Sequence, residues 1–343
     1  MSDATPRELG YRWPAEWEPH RGTLLAWPYN RESWPGKFEP IPGVYRQLVE
    51  TLAQFEPVHI NAAPGPVMDE AERLVGSITN VTLHPIPTND AWARDHGPTF
   101  LESTTGGPWS AVDWNYNAWG GKYPPWDDDQ QVPARLAERL GFARFSPGII
   151  MEGGAIDGNG AGLVLTTTEC LLNPNRNPHL SQEQTETYLR DYLGAKKILW
   201  LDHGIAGDDT DGHIDELARF VSPRKVLAAS EENKADENYA ALQANLMALQ
   251  EMTDVDGNLL EVVPLPMPSP LYQDDQRLPA SYCNFYIANG AVLVPQFGDP
   301  RTDRIALELL KESFPEREII PLPALDLVWG LGAFHCISQQ IVG

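Results

Sequence analysis

Cysteine is scarce: the 343-residue chain has only three, Cys170, Cys283 and Cys336. An odd number at wide spacing excludes a disulfide scaffold and fits a reducing, cytoplasmic setting. No CxxC pair offers a zinc-finger or zinc-ribbon spacing. Long apolar runs are also missing. No window reaches the length of a membrane span, and the opening MSDATPRELG lacks the apolar stretch of a signal peptide. Positive charge is in short supply. Lysine and arginine total 25 against 48 acids, a net of −23. Such a surface repels nucleic acid and attracts small cations, although acidity also serves solubility alone. Linkers and low-complexity segments are absent, so residues 1–343 read as one domain. The 42% apolar fraction supplies a large core.

What is present is a recurring order of elements. GAIDG and AGLVLTT flank the turn signal GNG. SQEQTETYLRDYLG follows, an amphipathic helix bounded by Ser181 and Gly194, and then the buried strand KKILWL. The same strand–strand–helix–strand unit recurs from ELARFVS to LLEVVPLP, from NFYIA to REIIPLP and from PTFLE to FARFS. A disturbed copy, TLLAWP to PVHIN with an added helix and strand, opens the chain. Repetition at this period predicts units stacked around an axis rather than a linear doubly wound sheet.

In a ring of such units, the loops after each third strand converge. Those loops hold Asp95, Glu152, His213 with Asp215, and Cys336. A thiolate nucleophile needs a nearby imidazole. His335 adjoins Cys336, and in an extended strand neighbouring side chains point to opposite faces, which leaves His213 as the better partner. His213 and Asp215, two apart, share a face if TDGHIDE is a strand. Cys170 and Cys283 lie in or beside apolar strands and read as structural thiols. Metal readings fail. An EF-hand with Gly212 sixth would need Gly207 first and Ala218 twelfth, and no further His or Cys stands at zinc spacing. One thiol, one histidine and three carboxylates suit a planar cation rich in N–H donors, and guanidinium is that cation.

WPAEWEPH, LLAWP, WARDHGP, EGGAIDGNG, TDGHIDELARF, RLPASYCNFYIANGAVLVPQFGD and HCISQQ span nearly the whole chain. In this order they resemble the guanidine-modifying superfamily, whose fold is the five-bladed α/β propeller of ββαβ units (pentein). The nearest likeness is to the family of agmatine deiminases and bacterial-type peptidylarginine deiminases. The resemblance implies Cys336 as nucleophile, His213 as general acid and base, and Asp95 and Asp215 as holders of the guanidinium. It implies that Glu152 orients His213 and that Trp92 lines the slot. It further implies hydrolysis of agmatine to N-carbamoylputrescine and ammonia, without metal or organic cofactor. Protein-bound or free arginine is the alternative substrate; an amidinotransferase and a non-catalytic arginine-binding protein are more remote readings. The pattern departs from the family at Ala333, where asparagine is usual, and at Glu216, where asparagine often follows the His-x-Asp.

Substrate choice turns on charge at the mouth. The loops carry Asp208, Asp209, Asp211, Glu216, Asp274 and Asp275, to which Glu16 and Glu18 are candidates to add. An amine tail suits these acids. A carboxylate tail would need a base, for which Arg277 is the candidate. The sequence leaves a homo-oligomer open.

Overall fold

The computed structural model describes residues 4–342. The repeating order is realised as five sheets of three or four strands and one two-stranded ribbon, and none of these sheets closes on itself among the described residues. In the unit around residue 180, Asp157–Gly158 pairs antiparallel with Leu163–Thr167, which pairs parallel with Lys197–Leu201. The crossover is the helix Gln182–Leu193. The Ser181 hydroxyl accepts from the Gln184 N–H, the Gln184 side chain accepts from the Ser181 N–H, and Gly194 ends the helix at φ 70°. Ala218–Phe220, Lys225–Ser230 and Glu261–Pro266 repeat this pairing around the helix Tyr239–Glu251. Tyr286–Ala288, Ala291–Gln296 and Glu318–Pro323 repeat it around Pro300–Ser313.

The unit Thr99–Ser103, Ser110–Val112 and Ala143–Phe145 gains Tyr11–Arg12 at its edge. Its helix starts earlier than PARLAERLG suggests, running Asp127–Leu140 with Pro133 inside and three aspartates in the first turn, where the helix dipole favours negative charge. The disturbed N-terminal copy is completed from the other end of the chain. Gln339–Val342 pairs antiparallel with His20–Ala26, which continues in parallel to Val58–Asn61 and Val81–His84. The tail is uncharged after His335 for this reason: Ile341 and Val342 are buried in a sheet.

Two local expectations change. Neither Cys336 nor His213 lies in a strand. Cys336 sits in a turn ahead of Gln339–Val342, and His213 caps the short 3-10 turn Ile214–Glu216. Alternating strand faces therefore set neither His335 against Cys336 nor His213 beside Asp215. No helix among the described residues is long and apolar enough to cross a membrane.

Candidate active site

Between the last strand of each unit and the first of the next, the chain makes a short helical turn. These turns are Ala93–His96, Gly153–Ala155, Ile214–Glu216, Tyr282–Asn284 and Val328–Gly330. They carry or adjoin Asp95, Glu152, His213 with Asp215 and Glu216, Asn284, and Cys336. All of these side chains are buried.

Asn284 organises the thiol. Its Oδ1 accepts from the backbone N–H of Ala333, His335 and Cys336 at 3.0–3.2 Å. Its Nδ2 donates to Cys336 Sγ at 3.0 Å and to Glu216 Oε1 at 2.9 Å. Asp215 Oδ2 and Glu216 Oε1 each lie 3.7 Å from the sulfur. Burial, then the charges of Asp215, Glu216 and Asp95, push the Cys336 thiol well above its ordinary range, against the Asn284 bond. Gly332 gives the sulfur room: a Cβ there would stand 2.6 Å from Trp92 and 3.0 Å from Cys336 Cβ.

Asp215 Oδ2 accepts from His335 Nδ1 at 2.6 Å, while Oδ1 is buried without a partner. Burial would raise the Asp215 carboxyl. The His335 bond and the charges of His335, His213 and Arg219 outweigh it and hold it below its usual range. Glu216 is the opposite case. Burial and the Asp215 charge lift it well above its usual range, and its Oε2 is also unpartnered. Asp95 accepts from Gly154 N–H at 2.8 Å and from the Trp119 indole at 3.0 Å. Trp119 reaches it from a loop in which Ala118, Trp119, Gly120 and Gly121 all have positive φ. Left-handed backbone costs roughly 1–2 kcal/mol at each of the two non-glycine positions, so the strain is concentrated beside the site.

His213 Nδ1 lies 3.7 Å from Asp95 Oδ1, and neither ring nitrogen has a hydrogen bond. Burial lowers its pKa, but Asp95, Cys170 and Asp215 raise it further, and it stays protonated well above its ordinary value. Glu152 is near the ring, yet its Oε1 binds Arg176 at 2.6 Å and its Oε2 has no partner. A ligand atom of Cys170 lies within 4.8 Å of both Glu152 and His213, so this thiol borders the site rather than serving the strand core alone. Gly154 is where the groups converge. A Cβ there would be 2.5 Å from His213 Nδ1, 2.8 Å from Asp95 Oδ1 and 3.0 Å from Asp215 Oδ2. Gly154→Ala is therefore expected to lower kcat by about a hundredfold, the cost of displacing reacting groups by an ångström. Circular dichroism should be unchanged; full activity would show that the three groups need not meet there.

A cavity of about 620 Å³ reaches Cys336, Asp95 and Trp92. Trp92 stacks on Trp34 at 5.4 Å between ring centres. Besides Asp95, the acids on the cavity wall are Glu32, Asp90, Asp129 and Asp209, and its one base among the described residues is Lys122, already 2.9 Å from Asp211. Arg277 is elsewhere: its guanidinium pairs with Asp236 and Glu237 at 3.2 and 3.3 Å and does not line the cavity. The arginine has closer acids of its own, which the loop's composition did not show. Glu16 is not at the mouth either. It is buried behind the site, where Oε2 bonds to His335 at 2.8 Å and Arg94 at 3.3 Å and forms an ion pair with Arg219 at 2.9 Å. Glu18 pairs with Arg12.

The chain is similar to known proteins over nearly its whole length. An agmatine deiminase of Pseudomonas aeruginosa is 39% identical over 360 aligned residues, covering 98% of this chain and 97% of the relative. The solved agmatine deiminase of Enterococcus faecalis superposes with a TM-score of 0.93 at 33% identity, covering 99% and 98% of the two chains. That of C. jejuni gives 0.86 at 32% identity, covering 97% and 96%. The family model of Porphyromonas-type peptidyl-arginine deiminase matches residues 12–341. This chain belongs to that family.

Proposed function

We propose that the protein hydrolyses agmatine to N-carbamoylputrescine and ammonia through a covalent amidino-cysteine on Cys336. The observation that carries this reading is the set of unpartnered buried oxygens beside the thiol, Asp215 Oδ1 and Glu216 Oε2, with Asp95 on the cavity wall. Buried acceptors without donors suit a ligand that brings several N–H groups. The five sheets are read as blades around that point, in a single catalytic domain.

The guanidinium carries the charge the site lacks. Its arrival cancels the field of Asp95 and Asp215, which favours attack by Cys336. Sulfur adds to the central carbon, the thiol proton goes to the departing nitrogen, and protonated His213 gives its own proton as that nitrogen leaves as ammonium, so the imidazole is neutral for the second half. Water then adds to the amidino carbon, His213 takes its proton, and the C–S bond breaks to release the ureido product and the thiol. Asp95 and Asp215 hold the substrate, Glu216 accepts a further N–H, Trp92 flanks the slot, and Glu152 helps to orient His213. Arg277 has no part in it. A panel of agmatine, free arginine and peptidyl arginine, scored for ammonia and ureido product, tests the reading; no turnover of any guanidine rejects it.

The wall chemistry favours an amine tail. With Lys122 neutralised by Asp209 and Asp211, a carboxylate tail meets mostly acids. Agmatine is expected to exceed free arginine at least tenfold in kcat/KM, about 1.4 kcal/mol. Arginine preferred by the wild type, and lost in Lys122→Gln, would reverse the assignment; Arg277→Ala should change neither substrate.

A pH dependence follows from the same wall. Burial pushes Asp90 up to about 6 and Asp129 up to about 7. A cationic tail binds their ionised forms, so affinity is full above about pH 8 and falls as pH drops through about 7 and 6. KM should rise by roughly tenfold between pH 8 and pH 5, tenfold being one pKa unit of differential binding, and Asp90→Asn should flatten the profile. A flat wild-type profile would remove these acids from tail recognition.

A further inference from the structure

The proposed base, His213, also belongs to a cluster that includes a thiol the reaction does not use, Cys170. One ligand atom each from Glu152, Cys170 and His213 lie within 4.8 Å of one another, and all three residues are at most 1% exposed. Glu152 Oε2 and both His213 nitrogens are buried and have no hydrogen-bond partner. Carboxylate, thiolate and imidazole are the three donor types that zinc takes. Bond lengths near ~2.1–2.3 Å place tetrahedral ligands about 3.5 Å apart, so closing the cluster needs a shift of roughly an ångström at most. The surroundings favour a dication: Asp95, Asp208 and Asp215 all act on His213 or its loop, and the Arg176 guanidinium beside Glu152 is already taken up by Asp211 and Glu152 Oε1. The cavity reaches Asp95, whose Oδ1 lies 3.7 Å from His213, so the cluster sits directly behind the cavity wall.

We propose that Glu152, Cys170 and His213 form an inhibitory site for a thiophilic divalent cation of the zinc class, with water or solvent in the fourth position. Binding releases the Cys170 thiol proton and the His213 imidazolium proton to solvent, and forms one bond each from sulfur, ring nitrogen and carboxylate oxygen to the metal. His213, held by the metal, can no longer carry a proton to the leaving nitrogen or from water. The metal is an inhibitor, not a requirement. The inhibition rests on the deiminase reading above; the coordination does not.

The rival is Asp215, Glu216 and Cys336, a second group within the same distance limit. It contains no histidine, and its sulfur already accepts from Asn284. X-ray absorption on the Zn²⁺-loaded wild-type protein separates the two without any substitution. One sulfur plus imidazole scattering is expected; one sulfur without imidazole, or no sulfur, overturns the proposal. Co²⁺ titration should give a thiolate charge-transfer band that persists in Cys336→Ser and is lost in Cys170→Ser. Glu152→Gln serves as the second variant should Cys170→Ser fail to fold. Affinity in either altered site should fall at least about a hundredfold, since even residues that only support a ligand cost 10- to 100-fold. A band lost in Cys336→Ser, or unchanged in Cys170→Ser or in Glu152→Gln, rejects the site. In the activity arm, Zn²⁺ should lower kcat and EDTA should restore it. If no guanidine is turned over, the deiminase reading fails while the spectroscopic result still decides the metal site.

Discussion

Cys336→Ser should abolish turnover of agmatine, a loss on the order of 10⁴- to 10⁶-fold in kcat, as when the nucleophile of a hydrolase is removed. The physical basis is local. Cys336 is the one thiol on the cavity wall, and Asn284 fixes both its sulfur and its backbone N–H. Serine preserves the backbone bonds to Asn284, so the fold should remain and substrate should still bind. The variant is thus expected to retain agmatine affinity within a few-fold by calorimetry. Cys283→Ser should retain activity, because burial pushes that thiol up to about 12 and its neighbours are structural. Turnover by Cys336→Ser above a thousandth of wild type would mean that another group attacks.

The second large effect concerns the carboxylates. Asp95→Asn and Asp215→Asn should each lower kcat/KM by several hundredfold or more. Removing one partner of a buried charge pair costs roughly 3–5 kcal/mol, and here the cost falls on the bound guanidinium. The two variants should differ in their side effects. Asp215 also accepts from His335, which in turn donates to Glu16, so Asp215→Asn disturbs a buried chain of charges and should lower Tm as well. Asp95→Asn keeps one amide oxygen for either Gly154 or Trp119, which Asp95 serves with separate oxygens, and leaves the His335–Glu16 chain intact, so it should lower Tm by less than Asp215→Asn. Near-wild-type kcat/KM in either variant would remove that residue from guanidinium binding.

The repeating unit was legible where a helix carries local punctuation. Ser181, Gln184 and Gly194 bound one helix by contacts within three residues of each end. The convergence of the loops was legible from the repeat alone. What the chain hid were approaches across long separations. Asn284, 52 residues from Cys336, has no charge and sits in an apolar-looking SYCN, yet it lies at the same place in its unit as Asp95 and Asp215 do in theirs. That equivalence was the available signal. Lys122 and Asp129 stand in segments outside the five loops, and only packing brings them to the cavity. Cys170 looked like a strand thiol because its neighbours in sequence are apolar; its neighbour in space is His213. Arg277 misled for the converse reason, since its loop is near but Asp236 and Glu237 take its charge.

Covalent labelling tests the central claim most directly. A haloacetamidine carries the amidinium that Asp95 and Asp215 would hold and presents an electrophilic carbon to the attacking sulfur. Mass spectrometry after inactivation should find one adduct per chain, on the peptide containing Cys336, with agmatine slowing its formation. An adduct on Cys170 or Cys283, or inactivation that agmatine does not slow, would contradict Cys336 as the nucleophile of this site.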